Sequence, residues 1–562
     1  MQPRVFSSQM TSSPARAEVS SEFIPSPTPR MGIESLVVFA VTASAFLLLR
    51  SHNLTAVDGP IRAFDIYREP HLKFHSSSHM LYPVYVLVWT QAIAKLGVNL
   101  ADPRDFIRAV QAMNALLAAG CSAILFALVR TLTGSRKLGI AATLSWALAN
   151  AVLLHATNAA EPMPGLFVSV CALAVANTSV RRNTFYLMIP AGFLLAFAMA
   201  SYQSMVFIGM ACGLVALLWQ TDGGHPEIGV RIHRTAVLAL SFLLGNVLIY
   251  GVCYWIAGAH TLHQVREVFF TVPAKDVYGG LSFAKAMNLP VGLANAMVVS
   301  IPHDYEGLRW LFRTQRFWIA RTLMTVAVIA GIFLWSGFRK QSASVPAWLR
   351  PFTIACLSSL ALGLGLQFYW QPLYDKLWLQ PLWILALLLF TRSAFAARPS
   401  RVSKLALAGL AVAGMALNLG AAIQSARGPW PNFDEANRVA TLIGPNDFVI
   451  TDWSSVALLY SRIWAGDARS MDFPTTVCAH PSGGINEMTT RIATTQARGG
   501  NVYFLGTLDL TKSVWDPFLG RHCGVAYESL QTYREQARTV ADFRSDEGTI
   551  SLKRLIVPSE KK

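Results

Sequence analysis

The sequence predicts a mainly α-helical, polytopic membrane protein with about 11 transmembrane helices, followed by a small C-terminal α/β domain on the extracytoplasmic side. Three observations predict it. Of 562 residues, 53% are hydrophobic and only 14% charged, against about 25% charge in a soluble domain. Apolar runs near the ~20 residues that cross a bilayer recur along the chain; from 164 to 220 the only charged residues are Arg181 and Arg182. Beyond residue 425 the chain becomes polar, and strand-like runs alternate with helix-like ones, the pattern of an α/β unit.

Residues 1–31, rich in Ser and Pro and without an apolar core, read as a disordered cytoplasmic tail. The run 33–49 is too long for a removed signal peptide and lacks a small-residue cleavage site, so 33–50 reads as the first transmembrane helix. Further candidate spans lie near 108–130, 138–156, 164–180, 184–200, 203–220, 235–257, 317–337, 351–369, 377–392 and 405–424. With the N-terminus in the cytoplasm, the inner loops collect Arg130, Arg136 and Lys137; Arg181 and Arg182; Arg231 and Arg234; Arg339, Lys340 and Arg350; and Arg392, Arg398, Arg401 and Lys404. The short outer loops near 157–163, 201–203 and 370–376 hold one basic residue, Lys376. That asymmetry is the positive-inside rule. It holds only if 82–97, which is short and contains Gln91 and Lys95, is an interfacial or re-entrant helix and not a crossing. Residues 51–107 then face outside, as does 258–316. The membrane domain runs from 32 to 425, with 51–107 as its functional outer loop.

The C-terminal domain, 426–562, opens at a Gly428-Pro-Trp-Pro linker. Phe448 to Thr451, Asn501 to Leu505 and Ile550 to Ile556 read as strands; Ser454 to Trp464 and the charged stretch Glu528 to Phe543 read as helices. The net charge of +16 is accounted for by the inter-helix loops, and no aromatic–basic signature for nucleic acid is present. Of seven cysteines, Cys121, Cys171, Cys212, Cys253 and Cys356 lie in apolar runs, and none forms a CxxC pair. Cys478 and Cys523 share the polar domain and can form a disulfide if it is extracytoplasmic. No phosphate-binding GxxxxGK, GxSxG or HExxH motif occurs, and the short basic inner loops offer no room for a nucleotide-sugar site.

The residues with chemistry to offer concentrate after the first span, in Thr55-Ala-Val-Asp58-Gly-Pro-Ile-Arg62-Ala-Phe-Asp65-Ile-Tyr67 and Phe74-His75-Ser-Ser-Ser-His79-Met-Leu-Tyr82-Pro83. Ionisable groups held beside a bilayer are costly and mark functional sites. Asp58 can serve as a general base; Asp-Gly-Pro is also good turn chemistry. Asp65, two helical turns on, shares its face on a helix and competes for the role. His75 and His79, four apart, suit a phosphate contact better than a metal, and two surface histidines without a role are the plain alternative. Glu161, in His155-Ala-Thr-Asn-Ala-Ala-Glu161-Pro162, is either a functional acid at the outer end of a helix pair or a helix-starting carboxylate favoured by the dipole. Tyr374 and Lys376 lie in an aromatic outer loop; Tyr and Trp populate interfaces for no catalytic reason, but Lys376 can pair with a lipid phosphate. Arg62, Arg68 and Lys73 add positive charge for the same anion.

One helix, an acidic outer loop with Asp58, a His-containing entry from His75 to Pro83, a horizontal helix and then many spans together resemble the GT-C superfamily of membrane glycosyltransferases, similar in kind to protein O-mannosyltransferases and lipid A aminoarabinose transferases. His79-Met-Leu-Tyr-Pro stands where those families often carry His-Pro-Pro-Leu. The resemblance implies a polyprenyl-phosphate-sugar-dependent hexosyl- or pentosyltransferase of the cell inner (plasma) membrane, N-terminus cytoplasmic. It would act with inversion on a glycan, lipid or protein acceptor. Asp58 and Glu161 would be catalytic; Asp65, Arg62, His75, His79, Tyr82, Tyr374 and Lys376 would bind substrate. No cofactor is assigned, no metal ligand is named, and a divalent metal is left open. The alternative is a transporter or flippase of lipid-linked sugars, which would need broken helices and charges at mid-membrane. A scaffold subunit would leave Asp58 and Glu161 dispensable.

Overall fold

Helices make up most of the computed structural model, which describes residues 29–52, 54, 58–70, 72, 79–220, 227–258, 261, 263–264, 280–298, 346–370, 372, 374–395, 401–479, 481–521, 523–545 and 548–556. The candidate span 317–337 and most of 258–316 lie outside the described residues. α1 (Pro29–Leu48), α2 (Asp58–Arg68) and α3 (Tyr82–Lys95) precede the long α4 (Pro103–Thr133). Local chemistry fixes both ends of α4. Asp102 caps it by accepting from the Arg104 amide at 2.7 Å, with Pro103 in the first turn. Gly134, in the left-handed region, closes it. α1 and α7 pack along α4, and Glu34 of α1 takes an ion pair from Arg130 at 3.4 Å.

Next come α5 (Arg136–Ala147), α6 (Asn150–Thr157), α7 (Pro162–Arg181), α8 (Met188–Ser201) and a 3-10 turn (Gln203–Phe207) leading into α9 (Ile208–Leu218). α10 (Ile228–Ile256), α11 (Phe283–Met297), α12 (Leu349–Tyr369), the 3-10 turn Asp375–Trp378, α13 (Leu379–Ser393) and α14 (Arg401–Arg427) complete the membrane part. Among the described residues, α1, α4, α7, α10 and α12 are each long and apolar enough to cross a membrane. The stretch expected as one span over 138–156 is instead broken: α5 and α6 meet at 70°, because Leu148 and Ala149 leave the helix between them. The two spans expected over 184–220 are the shorter α8 and α9, separated where Tyr202 adopts an extended backbone. α3, with 14 residues, is about 21 Å long, short of the ~30 Å hydrocarbon core.

The C-terminal part begins with α15 (Pro431–Leu442). It contains β1 (Phe448–Thr451), α16 (Ser455–Tyr460), β2 (Ser470–Asp472), α17 (Phe473–Ala479), α18 (Pro481–Ala497), β3 (Val502–Leu505), α19 (Gln531–Gln536), β4 (Ala537–Ser545) and β5 (Gly548–Leu555). The sheet runs β2-β1-β3-β5-β4, with the first three strands parallel and the last two antiparallel. β1 is buried throughout and apolar from Phe448 to Ile450, as suits a strand covered on both faces. The stretch Glu528 to Phe543, expected to be helical, is helical only over Gln531–Gln536 beyond a 3-10 turn; from Ala537 it is strand β4. Thr539, Val540 and Phe543 favour a pleated surface, and pairing with β5 overrides the helical charge pattern. Cys478 and Cys523 form a disulfide, their Cα atoms 4.4 Å apart; the other five cysteines are free thiols.

The two parts meet at α2. Its Ala63, Phe64 and Ile66 join Phe433, Val456, Leu459 and Tyr460 in one apolar cluster. Asp65 pairs with Arg462 at 3.3 Å and Arg68 with Asp467 at 3.3 Å. Arg104 at the start of α4 reaches Asp434 at 2.5 Å. His52 stacks on Trp430, 4.7 Å between rings, and its Nδ1 lies 2.6 Å from the Gly428 carbonyl.

Candidate active site

The site forms where three irregular segments converge on the first turn of α7. Asn114 of α4, buried in a largely apolar helix, donates to the carbonyls of Asn158 and Ala160, each at 2.8 Å. This pins the loop between α6 and α7. Pro162 starts α7 and lacks the amide that would be orphaned there. Glu161 precedes it and makes no cap hydrogen bond; its side chain is only 2% exposed. A carboxylate buried this deeply needs compensating charge; Lys376 supplies it, and His79 adds a second positive charge when protonated. His79 Nε2 lies 3.6 Å and Lys376 Nζ 4.0 Å from Glu161 Oε2. Both are shielded, His79 19% and Lys376 15% exposed.

Each partner is held by its own element. His79 stands just before α3 and leans on the Tyr202 ring at 4.9 Å, in the break between α8 and α9. The Leu81 amide donates to the Ala200 carbonyl at 3.1 Å, and the Tyr85 and Ser201 hydroxyls meet at 3.0 Å. Tyr82 is fully buried; burial first, and then the Glu161 charge, hold its phenol well above its ordinary pKa. Lys376 lies over the Tyr374 ring, 4.7 Å from its centre. Its 3-10 turn is fixed by Trp378 donating to the Pro372 carbonyl at 2.8 Å. Gly292 of α11 comes so close to that carbonyl that a Cβ would sit 1.9 Å from the oxygen. His155 of α6 is buried behind the turn and feels the charges of Asp375 and Lys376.

α2 brings Asp58 to the same place. Gly59 packs onto the pinned loop so tightly that an added Cβ would lie 1.8 Å from the Ala159 carbonyl oxygen. The N-terminal turn of α2, which begins at Asp58, therefore abuts the loop that ends in Glu161. Arg62, one turn further along α2, is half-buried.

The structure thus gathers Glu161, His79, Tyr82, Tyr374 and Lys376 around one point and sets the start of α2 against it. Asp65 is not in that group. It faces the C-terminal part and is engaged by Arg462. His75 lies outside the described residues. Tyr202, His155 and Asn114 belong to the site or its frame and escaped the sequence reading. The available signal was a polar group inside an apolar run, which reads equally as helix packing. Among the described residues, no three His, Cys, Asp or Glu side chains gather as a metal site. Chemically, the cluster offers a shielded acid beside two groups able to bind an anion or pass a proton.

No family model matches the chain, and no curated protein matches it. Among solved structures it is similar to ArnT from Cupriavidus metallidurans bound to undecaprenyl phosphate, at 12% identity and a TM-score of 0.43, over 94% of this chain and 98% of that one. The same protein in its apo state gives 11% identity and a TM-score of 0.44, over 94% and 99%. Superposition at this level is loose.

Proposed function

We propose that the protein is a membrane glycosyltransferase of the GT-C kind. It moves a sugar from a polyprenyl-phosphate donor to an envelope or protein acceptor on the extracytoplasmic side, with inversion and with Asp58 as base. The observation that carries the reading is the Glu161–His79–Lys376 cluster against which the first turn of α2 is packed. Lys376, Tyr374 and His79 form a cationic and hydrogen-bonding end for a phosphate, with Arg62 on the neighbouring helix. Asp58 takes the proton from the acceptor hydroxyl as the new bond to the anomeric carbon forms. The bond from that carbon to the phosphate oxygen breaks, and polyprenyl phosphate leaves with the electron pair. Stabilising that departing charge is the role of the fixed cations. Glu161 holds both in place and shares their protons. The C-terminal disulfide supports the extracytoplasmic assignment of the domain docked on α2, since such bonds persist in oxidising compartments.

The test uses the purified chain in detergent with polyprenyl-phosphate sugars, following release of polyprenyl phosphate. Asp58→Asn should slow release by about 10²–10⁴-fold, the range for a lost general base. Unchanged turnover removes Asp58 from the role. One observation favours the second reading, a flippase of lipid-linked sugars: the 70° break between α5 and α6. That reading calls for movement of a lipid-linked sugar across a proteoliposome with no release of polyprenyl phosphate.

A further inference from the structure

α7 has 20 residues and is about 30 Å long, the thickness of a hydrocarbon core. Its far end therefore lies at the opposite membrane interface from Glu161. There the chain turns from α7 into α8 through Asn183, the one non-glycine residue with positive φ among those described, at +53°. Asn tolerates that conformation. The Thr184 amide closes the turn onto the Ser179 carbonyl at 2.9 Å, and the Ser179 hydroxyl donates back to the Thr184 carbonyl.

The turn presents the Asn183 side-chain oxygen to Arg234 of α10, which donates to it through Nη2. Arg234 is 1% exposed. Its Nε and Nη1 are buried with no hydrogen-bond partner, as are Nε of Arg231, one turn earlier on α10, and Nε of Arg181, two residues before Asn183. Among the described residues, no ion pair involves Arg181, Arg182, Arg231 or Arg234. A guanidinium carries five donors and stays charged, and a buried charge without a counter-charge is costly. The donors of Arg234 thus lack an anion. Around them the surface is apolar: Phe185, Tyr186, Ile228 and Ile232 are exposed, and His233 meets the Phe185 ring at 5.1 Å. Aromatic and apolar side chains about a basic pocket at helix ends are the setting in which lipid headgroups bind.

We propose that Arg234, with Arg231 and Arg181, is a phosphate site for the headgroup of an anionic membrane lipid, at the interface opposite the candidate active site. Guanidinium forks match phosphate oxygens two at a time. The lipid chains lie along Phe185, Tyr186 and Ile232. The site stands apart from the glycosyl-transfer reading and does not depend on it.

The full chain, stripped of lipid in detergent, is titrated with short-chain phosphatidylglycerol, with phosphatidylcholine of the same chains and with inorganic phosphate, and bound lipid is read by native mass spectrometry. Wild type should prefer phosphatidylglycerol to phosphatidylcholine, and Arg234→Gln should bind it at least ~10-fold more weakly, an effect of the size expected for lost charge-assisted hydrogen bonds. Arg234→Lys, which keeps the charge without the fork, should recover part. Equal phosphatidylglycerol binding by wild type and Arg234→Gln overturns the proposal. So does Arg234-dependent binding of inorganic phosphate without lipid binding, which would make the site one for a free anion. If Arg234→Gln does not fold, Arg231→Gln serves instead: a several-fold loss supports the site, and wild-type binding overturns it.

Discussion

One end of α7 holds a buried acid beside His79 and Lys376, and the other faces a buried guanidinium that donates to the Asn183 side-chain amide. Glu161 has His79 and Lys376 within 4.0 Å, whereas Arg234 has Asn183. Both charges are taken out of water at similar depth, so the difference lies in what completes each. The Glu161 end is balanced from within the protein by two segments far apart in sequence, those of His79 and Lys376. At the Arg234 end no counter-charge is found among the described residues, and the proposed lipid phosphate would supply it. A self-compensated site stores its machinery in a fixed geometry, ready for a substrate; an uncompensated one is built to be filled. That contrast makes mutations at the two ends behave differently.

The largest expected effect is at the compensated end. Lys376→Met strips one cation from a carboxylate that is 2% exposed. Breaking a buried pair by removing one partner costs about 3–5 kcal/mol. Thermal unfolding in detergent should show it, and Glu161→Gln added to Lys376→Met should restore part of the loss. At the other end, Arg234→Gln in delipidated protein removes one hydrogen bond and an uncompensated charge. Its cost should be no more than about 1 kcal/mol, the net worth of one such bond. Equal losses at both ends would erase the distinction.

A second measurement decides which end faces the oxidising compartment. The C-terminal part docks on α2, and α2 packs on the Glu161 loop, so the Cys478–Cys523 disulfide reports on the Glu161 side. Its closure spans 45 residues, and removing it as Cys478→Ser with Cys523→Ser should cost about 2–4 kcal/mol. The check is the shift of unfolding temperature in protein purified with its thiols blocked. No shift, together with free Cys478 in cells, would place the Glu161 end in the cytoplasm and the arginine pocket outside.

How much of this was legible beforehand depended on whether the signal was local. Helix α4 could be read from the apolar run 108–130, though not its start at Pro103, β1 from Phe448-Val-Ile-Thr, and the exclusion of 82–97 as a crossing from its length and its Gln91 and Lys95. Glu161, His79 and Lys376 each stood out alone as charges beside a membrane. Their convergence did not, because it is made by tertiary packing of the loop 158–161, the turn 375–378 and the approach to α3. The break between α5 and α6 was invisible since Leu148 and Ala149 are themselves apolar and helix-tolerant. β4 was misread because its charges repeat at helical spacing, while its partner strand decides the matter from outside the segment. Asp65 shared a helix face with Asp58 in the sequence reading, yet a residue 397 positions away, Arg462, engages it.

A last prediction tests the close approach of the start of α2 to the loop that ends in Glu161. Gly59→Ala would place a Cβ 1.8 Å from the Ala159 carbonyl oxygen, and both atoms belong to backbone that is packed on α4 and on the C-terminal part. Neither can move without shifting its neighbours, so the start of α2 must lift. Overpacking of this kind costs about 1–3 kcal/mol, and a 1 Å displacement of a reacting group can slow chemistry about 10²-fold. Turnover should therefore fall further than stability, while binding of phosphatidylglycerol at Arg234, about one helix length away, stays at its wild-type level. A loss of lipid binding in step with turnover would mean that the two ends of α7 respond as one unit. Loss of turnover alone would show that the acid end depends on how closely two backbones approach, and the basic end on none of that.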